Sequence, residues 1–129
     1  MPDGSELRSM GAASALRRGA RNAVRSCLGI GAGDTVTLIC DDASLTVAAA
    51  LLAELDEAQA RSHVFVLERR AARPLAGLPP EISRALKASA ASIYTVHPKD
   101  GEYEHRKELI GMVAPLKLRH AHMIRVTED

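Results

Sequence analysis

From Thr35 onward, short apolar runs alternate with longer amphipathic ones, the pattern of βαβ units that build a parallel sheet. The short runs predict strands over Thr35 to Cys40, Ser62 to Leu67, Ala91 to Val96 and His120 to Val126. Val36, Ile39, Val64, Phe65, Val66, Ile93 and Val96 give these runs the β-branched and aromatic content of strands covered on both faces. After the first run, Leu45, Ala48, Ala49, Leu52 and Leu55 repeat at helical spacing, with Asp42 or Ser44 placed to cap the exposed N–H groups. After the second, Arg69 to Leu78 reads as a loop, and Pro79, Pro80 and Glu81 open a helix lined by Ile82, Ala85, Leu86 and Ser89. After the third, Tyr103, Arg106, Ile110 and Val113 share a helical side that Leu109, Met112 and Leu116 widen, until Pro115 disturbs the last turn. Before the first strand, Leu16, Ala20, Val24 and Cys27 or Leu28 outline an amphipathic helix with an arginine-rich outer face. Residues 1–11 read as a flexible lead-in, and residues 12–129 as a single α/β domain.

Parallel crossovers are right-handed in nearly all known cases, so three in succession leave few topologies. The expectation is a three-layer α/β fold, Rossmann-like or flavodoxin-like, with about four mostly parallel strands in the order 2-1-3-4 and helices on both faces. In that order the first and third strands are neighbours, and a crevice opens beyond their carboxyl ends. Asp41 and Asp42 would border it on one side, and His97, Pro98, Lys99 and Asp100 on the other.

The chain has 129 residues, 17 basic against 16 acidic, with a net charge of +1, which leaves no electrostatic footprint for nucleic acid or an anionic membrane. Phe65, Tyr94 and Tyr103 are its only aromatic residues, too few for a base-stacking platform. No run approaches the ~20 apolar residues of a membrane span. Arg8, Arg17, Arg18, Arg21 and Arg25 among alanines and serines faintly resemble a transit peptide, but Asp3 and Glu6 count against one. With no secretory apolar core before Gly11, the expected location is the cytoplasm. Cys27 and Cys40 lack the spacing of a zinc or redox motif, which fits a reducing compartment.

Candidate chemistry is sparse. Gly29, Gly31 and Gly33 precede the first strand, whereas a phosphate-binding turn follows it, and Asp41 and Asp42 would repel phosphate there. Asp41 and Asp42 could hold a cation or a ligand amine, with His97 across the crevice, but helix capping accounts for the acids as well. His120 and His122 fall on one face of a strand, where two imidazoles could share a metal, but no third ligand is identifiable and a packed structural role outweighs that reading. His105 and Glu108 lack the second histidine of a zinc-protease helix and read as a surface ion pair. Cys40 reads as a core residue at a strand end.

Three blocks carry a resemblance: Gly33-Asp34-Thr35-Val36-Thr37-Leu38-Ile39-Cys40-Asp41; Val64-Phe65-Val66-Leu67-Glu68 leading to Arg73-Pro74-Leu75 and Leu78-Pro79; and Arg119-His120-Ala121-His122-Met123-Ile124. Together, from about Ala20 onward, the chain resembles the N-terminal domain of leucyl aminopeptidase-like metallopeptidases of the aminopeptidase T and aminopeptidase S type. The resemblance implies a two-domain parent that removes N-terminal residues from peptides with divalent Zn, Co or Mn. Its N-terminal domain forms one wall of the cleft and helps form a homo-oligomer. The parent's metal ligands would lie in a C-terminal domain, so this chain alone would hold no cofactor, carry no catalytic residue and be inert. Relatives of the same architecture include ring-cleaving iron dioxygenases, and a stand-alone ligand-binding or assembly module is the alternative. Arg125 departs from the small residue expected after the final block.

Overall fold

A computed structural model describes residues 2–11 and 14–124. Five helices, α1 Pro2–Met10, α2 Ser14–Arg21, α3 Leu45–Glu57, α4 Pro80–Lys87 and α5 Tyr103–Val113, surround four strands. The strands are β1 Thr35–Cys40, β2 Arg61–Val66, β3 Ala91–Val96 and β4 Arg119–Ile124. They pair in parallel throughout, in the order β2-β1-β3-β4, so the three-layer α/β architecture and strand order match the sequence expectation. The expected end of the last strand at Val126 lies outside the described residues, as does Arg125.

Strand alternation divides the core in two. Val36, Leu38 and Cys40 of β1, with Val64, Val66 and Ile93, face the layer holding Leu7, Ala20, Val24 and the Val47-to-Leu55 stripe of α3. Ile39, Phe65, Tyr94 and Val96 face the opposite way, against Ile82 and Leu86 of α4 and Leu109 of α5. Both faces of β1 are buried because crossover helices cover each side of a parallel sheet.

Two parts of the N-terminal region differ from expectation. Residues 2–10 are a packed helix and not a flexible lead-in: Leu7 is 1% exposed, and Asp3 Oδ2 accepts the Val66 N–H at 3.0 Å. Arg8 also grips Asp56 through two hydrogen bonds of 2.8 and 2.9 Å. The expected helix carrying Leu16 to Leu28 is α2 continued by a wider π-helical turn over Asn22–Cys27, in which the Leu28 N–H reaches back to the Ala23 carbonyl. That extra residue per turn brings Val24 and Leu28 inward and leaves Cys27 exposed. Arg17 and Arg21 of α2 both donate to Glu54 on α3, whose side chain is 1% exposed. Burial alone would raise the Glu54 carboxyl, but the two guanidiniums outweigh it and hold it below its ordinary range.

Candidate functional site

Asp41 follows β1 directly and caps the short 3-10 turn Asp42–Ser44 that leads into α3. Its Oδ1 accepts the Ser44 N–H at 3.1 Å and the Ser44 hydroxyl at 2.8 Å, while the Ser44 oxygen accepts the Asp41 N–H. Asp41 Oδ2 accepts the His97 N–H at 2.9 Å across the β1/β3 boundary. Asp41 is fully buried, so its oxygens turn into the fold and not into an open crevice.

What occupies the crevice is Arg73, delivered by the loop between β2 and α4. A guanidinium has five N–H donors in a fixed fork, and each finds an acceptor here. Nε donates to Glu102 Oε2 at 3.0 Å, and Nη1 to Asp41 Oδ2 at 2.8 Å and Glu68 Oε2 at 3.0 Å. Nη2 donates to Glu102 Oε1 at 2.6 Å and to the His97 carbonyl at 3.2 Å. The Arg73 side chain is only 4% exposed, and those of Asp41 and Glu102 not at all.

Glu102, at the start of α5, also accepts the Leu75 N–H at 3.0 Å and the Lys99 N–H at 2.9 Å. It thereby ties both the arginine loop and the β3–α5 connection to one carboxylate. Burial raises its pKa, but Arg73 and the two backbone donors outweigh burial and hold it at about 2. Burial likewise opposes the Arg73 charge, yet its carboxylate partners raise its pKa above the ordinary value. Gly101 permits this join, because its φ of +93° suits glycine and a Cβ there would meet Pro74 Cγ at 3.3 Å.

The structure therefore brings the three crevice candidates close together, but in different roles. Asp41 is a buried cap, and His97 enters the network through its backbone N–H and carbonyl. Asp42 is half-exposed and pairs with Arg69 at 2.8 Å, while its N–H donates to Glu68 Oε1 at 3.0 Å. Sequence reasoning missed Arg73, Glu68 and Glu102. The available signal was an arginine set between small and apolar residues, Ala71-Ala72-Arg73-Pro74-Leu75, where a solvated charge has no evident reason to sit.

A second cluster lies on the α5 side of the sheet. His120 and His122 point to one face as expected, with His120 Nε2 3.2 Å from His122 Nδ1. Ser92 Oγ lies 2.6 Å from His120 Nδ1, and the Tyr94 ring stacks on His122 at 4.8 Å and 11°. Burial, reinforced by the neighbouring imidazole, lowers the His120 pKa to about 4; burial and Arg106 lower that of His122. His105 and Glu108 are not a surface pair. His105 is fully buried with Nδ1 2.9 Å from the Gly77 carbonyl, and Glu108 accepts the Leu78 N–H at 2.6 Å, so both fasten the loop to α5. Among the described residues, no group of three His, Cys, Asp or Glu side chains is placed to hold a metal. No described helix is long and apolar enough to cross a membrane.

The sequence matches no family model and no curated protein. The fold is similar to that of wild-type AmpT from Thermus thermophilus, with a TM-score of 0.57 and 15% identity, over 88% of this chain and 36% of that one. At that identity the likeness is one of fold, and this chain corresponds to little more than a third of the neighbour's length.

Proposed function

We propose that this chain is the N-terminal α/β domain of a cytoplasmic, aminopeptidase-like metalloenzyme, forming a wall of the peptide cleft and helping two copies associate. The observation that carries this reading is the fold likeness, 88% of this chain against 36% of AmpT, an aminopeptidase T. It falls on the same group of enzymes that the three sequence blocks resemble. The closed crevice supports a scaffolding role, because the place where open α/β sheets bind small ligands is filled by the chain's own Arg73.

Two-metal peptide hydrolysis needs a full ligand set to activate water and polarise the scissile carbonyl. In this reading those ligands, and the divalent Zn, Co or Mn they hold, belong to another domain, and this chain alone is inert. Its contribution is a rigid β1/β3 end locked by Arg73.

Two assays test the proposal. The purified chain, incubated with Zn2+, Co2+ or Mn2+, is expected to release no product from aminoacyl p-nitroanilides beyond the metal blank; chelator-sensitive turnover would overturn its inertness. The native product, captured from source cells with an antibody to this chain, is expected to hydrolyse the same substrates in a divalent-dependent way. A native product that leaves peptides untouched would overturn the aminopeptidase reading.

One observation favours a second reading, an assembly module. Among the described residues β4 pairs only with β3, and Tyr103 and Ile110 on α5 are exposed at 65% and 47%. A sheet edge beside apolar side chains is a surface other chains can cover. A native product of 13.8 kDa that self-associates and lacks peptidase activity is the outcome this second reading expects.

A further inference from the structure

We propose that His120 and His122 form a two-histidine site for a divalent cation of borderline softness, of the Zn2+ or Cu2+ kind, on strand β4. The site is independent of any metal centre on another domain, and rests on the geometry of this chain alone.

Alternate residues of a strand project to the same face, and here they bring His120 Nε2 within 3.2 Å of His122 Nδ1. Two nitrogens bound tetrahedrally to zinc at about 2.0–2.1 Å lie about 3.3 Å apart. The pair is thus already spaced as two vertices of a coordination tetrahedron.

Both rings are held from behind. A metal-binding histidine ordinarily gives its other ring N–H to an oxygen, which orients the ring and selects its tautomer. Ser92 Oγ, 2.6 Å from His120 Nδ1, stands in that place. With the proton on Nδ1, the Nε2 lone pair points toward His122. The stacked Tyr94 ring, itself fully buried, supports the plane of His122. In that tautomer the 3.2 Å contact needs a proton on His122 Nδ1, facing His120 Nε2. A cation takes its place when that proton moves to the far nitrogen of its own ring, so binding needs a change of tautomer and a small ring rotation, and releases no net proton.

The surroundings select among cations. His122 is exposed and borders a shallow groove with Tyr103, Arg106, Lys107, Ile110 and Gly111, so an ion can reach it from solvent. Arg106 and Lys107 make that groove unattractive to a cation held by charge alone. An ion that forms real bonds to imidazole overcomes this repulsion, whereas Mg2+ or Ca2+, which prefer oxygen ligands, do not. Water completes the coordination on the solvent side.

The test uses the untagged, nitrogen-15-labelled full chain titrated with Zn2+ near neutral pH, followed by calorimetry and by the ring resonances of its five histidines. The expected result is one Zn2+ per chain, with the His120 and His122 rings shifting and those of His63, His97 and His105 unmoved, and no response to Mg2+. His122→Ala, or His122→Gln if the alanine variant is poorly folded by circular dichroism, is expected to abolish the binding. Ser92→Ala is expected to weaken it roughly 10-fold. Absence of binding at millimolar Zn2+, heat retained in the His122 variants, shifts centred on other histidines, or equal shifts with Mg2+ would each overturn the proposal.

Discussion

Replacing Arg73 by methionine keeps most of the side-chain volume and removes the one cation on which Asp41, Glu68 and Glu102 converge. Five hydrogen bonds are lost, and two of the three abandoned carboxylates are fully buried. Breaking a buried ion pair from one side costs about 3–5 kcal/mol, because the charge left behind is uncompensated. A chain of this length has a total stability of about 6–19 kcal/mol, so the variant is expected to fold but with a large deficit. Part of the loss is cushioned, since Glu102 keeps the Leu75 and Lys99 N–H groups and Asp41 keeps those of Ser44 and His97.

The pH dependence of that deficit separates lost charge pairing from lost packing. In the native chain Glu102 sits at about 2, below the ordinary 4.5. Its contribution is therefore complete above about pH 4.5 and is lost as pH falls toward 2. Without Arg73 the buried Glu102 carboxylate protonates more readily, so the variant sheds that uncompensated charge at a higher pH than the native chain does. Urea unfolding followed by circular dichroism is expected to give a deficit of about 3–5 kcal/mol near neutral pH, shrinking as the solution is acidified to about pH 5. Adding Glu102→Gln to the variant is expected to restore part of the loss, a non-additivity typical of contacting groups. A deficit below about 1 kcal/mol, or one that does not change with pH, would refute the argument that Arg73 is the electrostatic plug of the crevice.

Three further outcomes follow from the packing. His120 is held neutral in the fold, with a pKa of about 4 against an ordinary 6.5; the unfolded chain takes up its proton first, so melting temperature is expected to fall between about pH 6.5 and 4, and a flat profile across that window would contradict the burial of the histidine. Asp3→Ala is expected to cost about 1–3 kcal/mol and to speed hydrogen exchange at the Val66 amide and along α1, because Asp3 is the acceptor for that N–H and the partner of Arg70; unchanged protection would mean that α1 is held by its other contacts, Leu7, the Glu6–Arg69 pair and Arg8. Ellman's reagent is expected to label exposed Cys27 in the native state and Cys40 only on unfolding, since burial and then the Asp41 charge raise the Cys40 thiol; rapid labelling of both would show that the β1 end opens.

The sheet was legible because its signal is local and repeated. Each strand is a continuous β-branched run, each crossover has a helical stripe, and handedness then leaves few orders for four parallel strands. Helix α1 was harder. Among the described residues Leu7 is its one deeply buried apolar side chain, so hydrophobic periodicity is silent, although Pro2 at its start, Asp3 in its first turn and Gly11 just past its end are ordinary helix boundary residues. The histidine pair on β4 follows from alternation alone, but the oxygen and the ring behind it come from β3 and needed the strand register, in which Ser92 sits opposite His120 and Tyr94 opposite His122.

The crevice shows a different limit. Its position at the ends of β1 and β3 follows from topology, and Asp41 and His97 do meet there. The capping role of Asp41 follows from the sequence too, but its charge partner does not, because that group arrives from a loop thirty-two residues beyond Asp41 and bonds to Glu102 a further twenty-nine residues on. Adjacent acids in a sequence look like an empty negative site; only the fold reveals the two arginines already seated on them, Arg73 on Asp41 and Arg69 on Asp42. That internal hydrogen bonding of the buried Arg73 is the strongest structural ground for treating this end of the sheet as a rigid support and not a ligand pocket.

The central claim, that this domain is one wall of a longer metalloenzyme, is tested most directly by the intact mass and metal content of the native product in extracts of the source cells. The account predicts a species well above 13.8 kDa that carries divalent metal beyond what the His120 and His122 site binds. A native species of 13.8 kDa without such metal would contradict it.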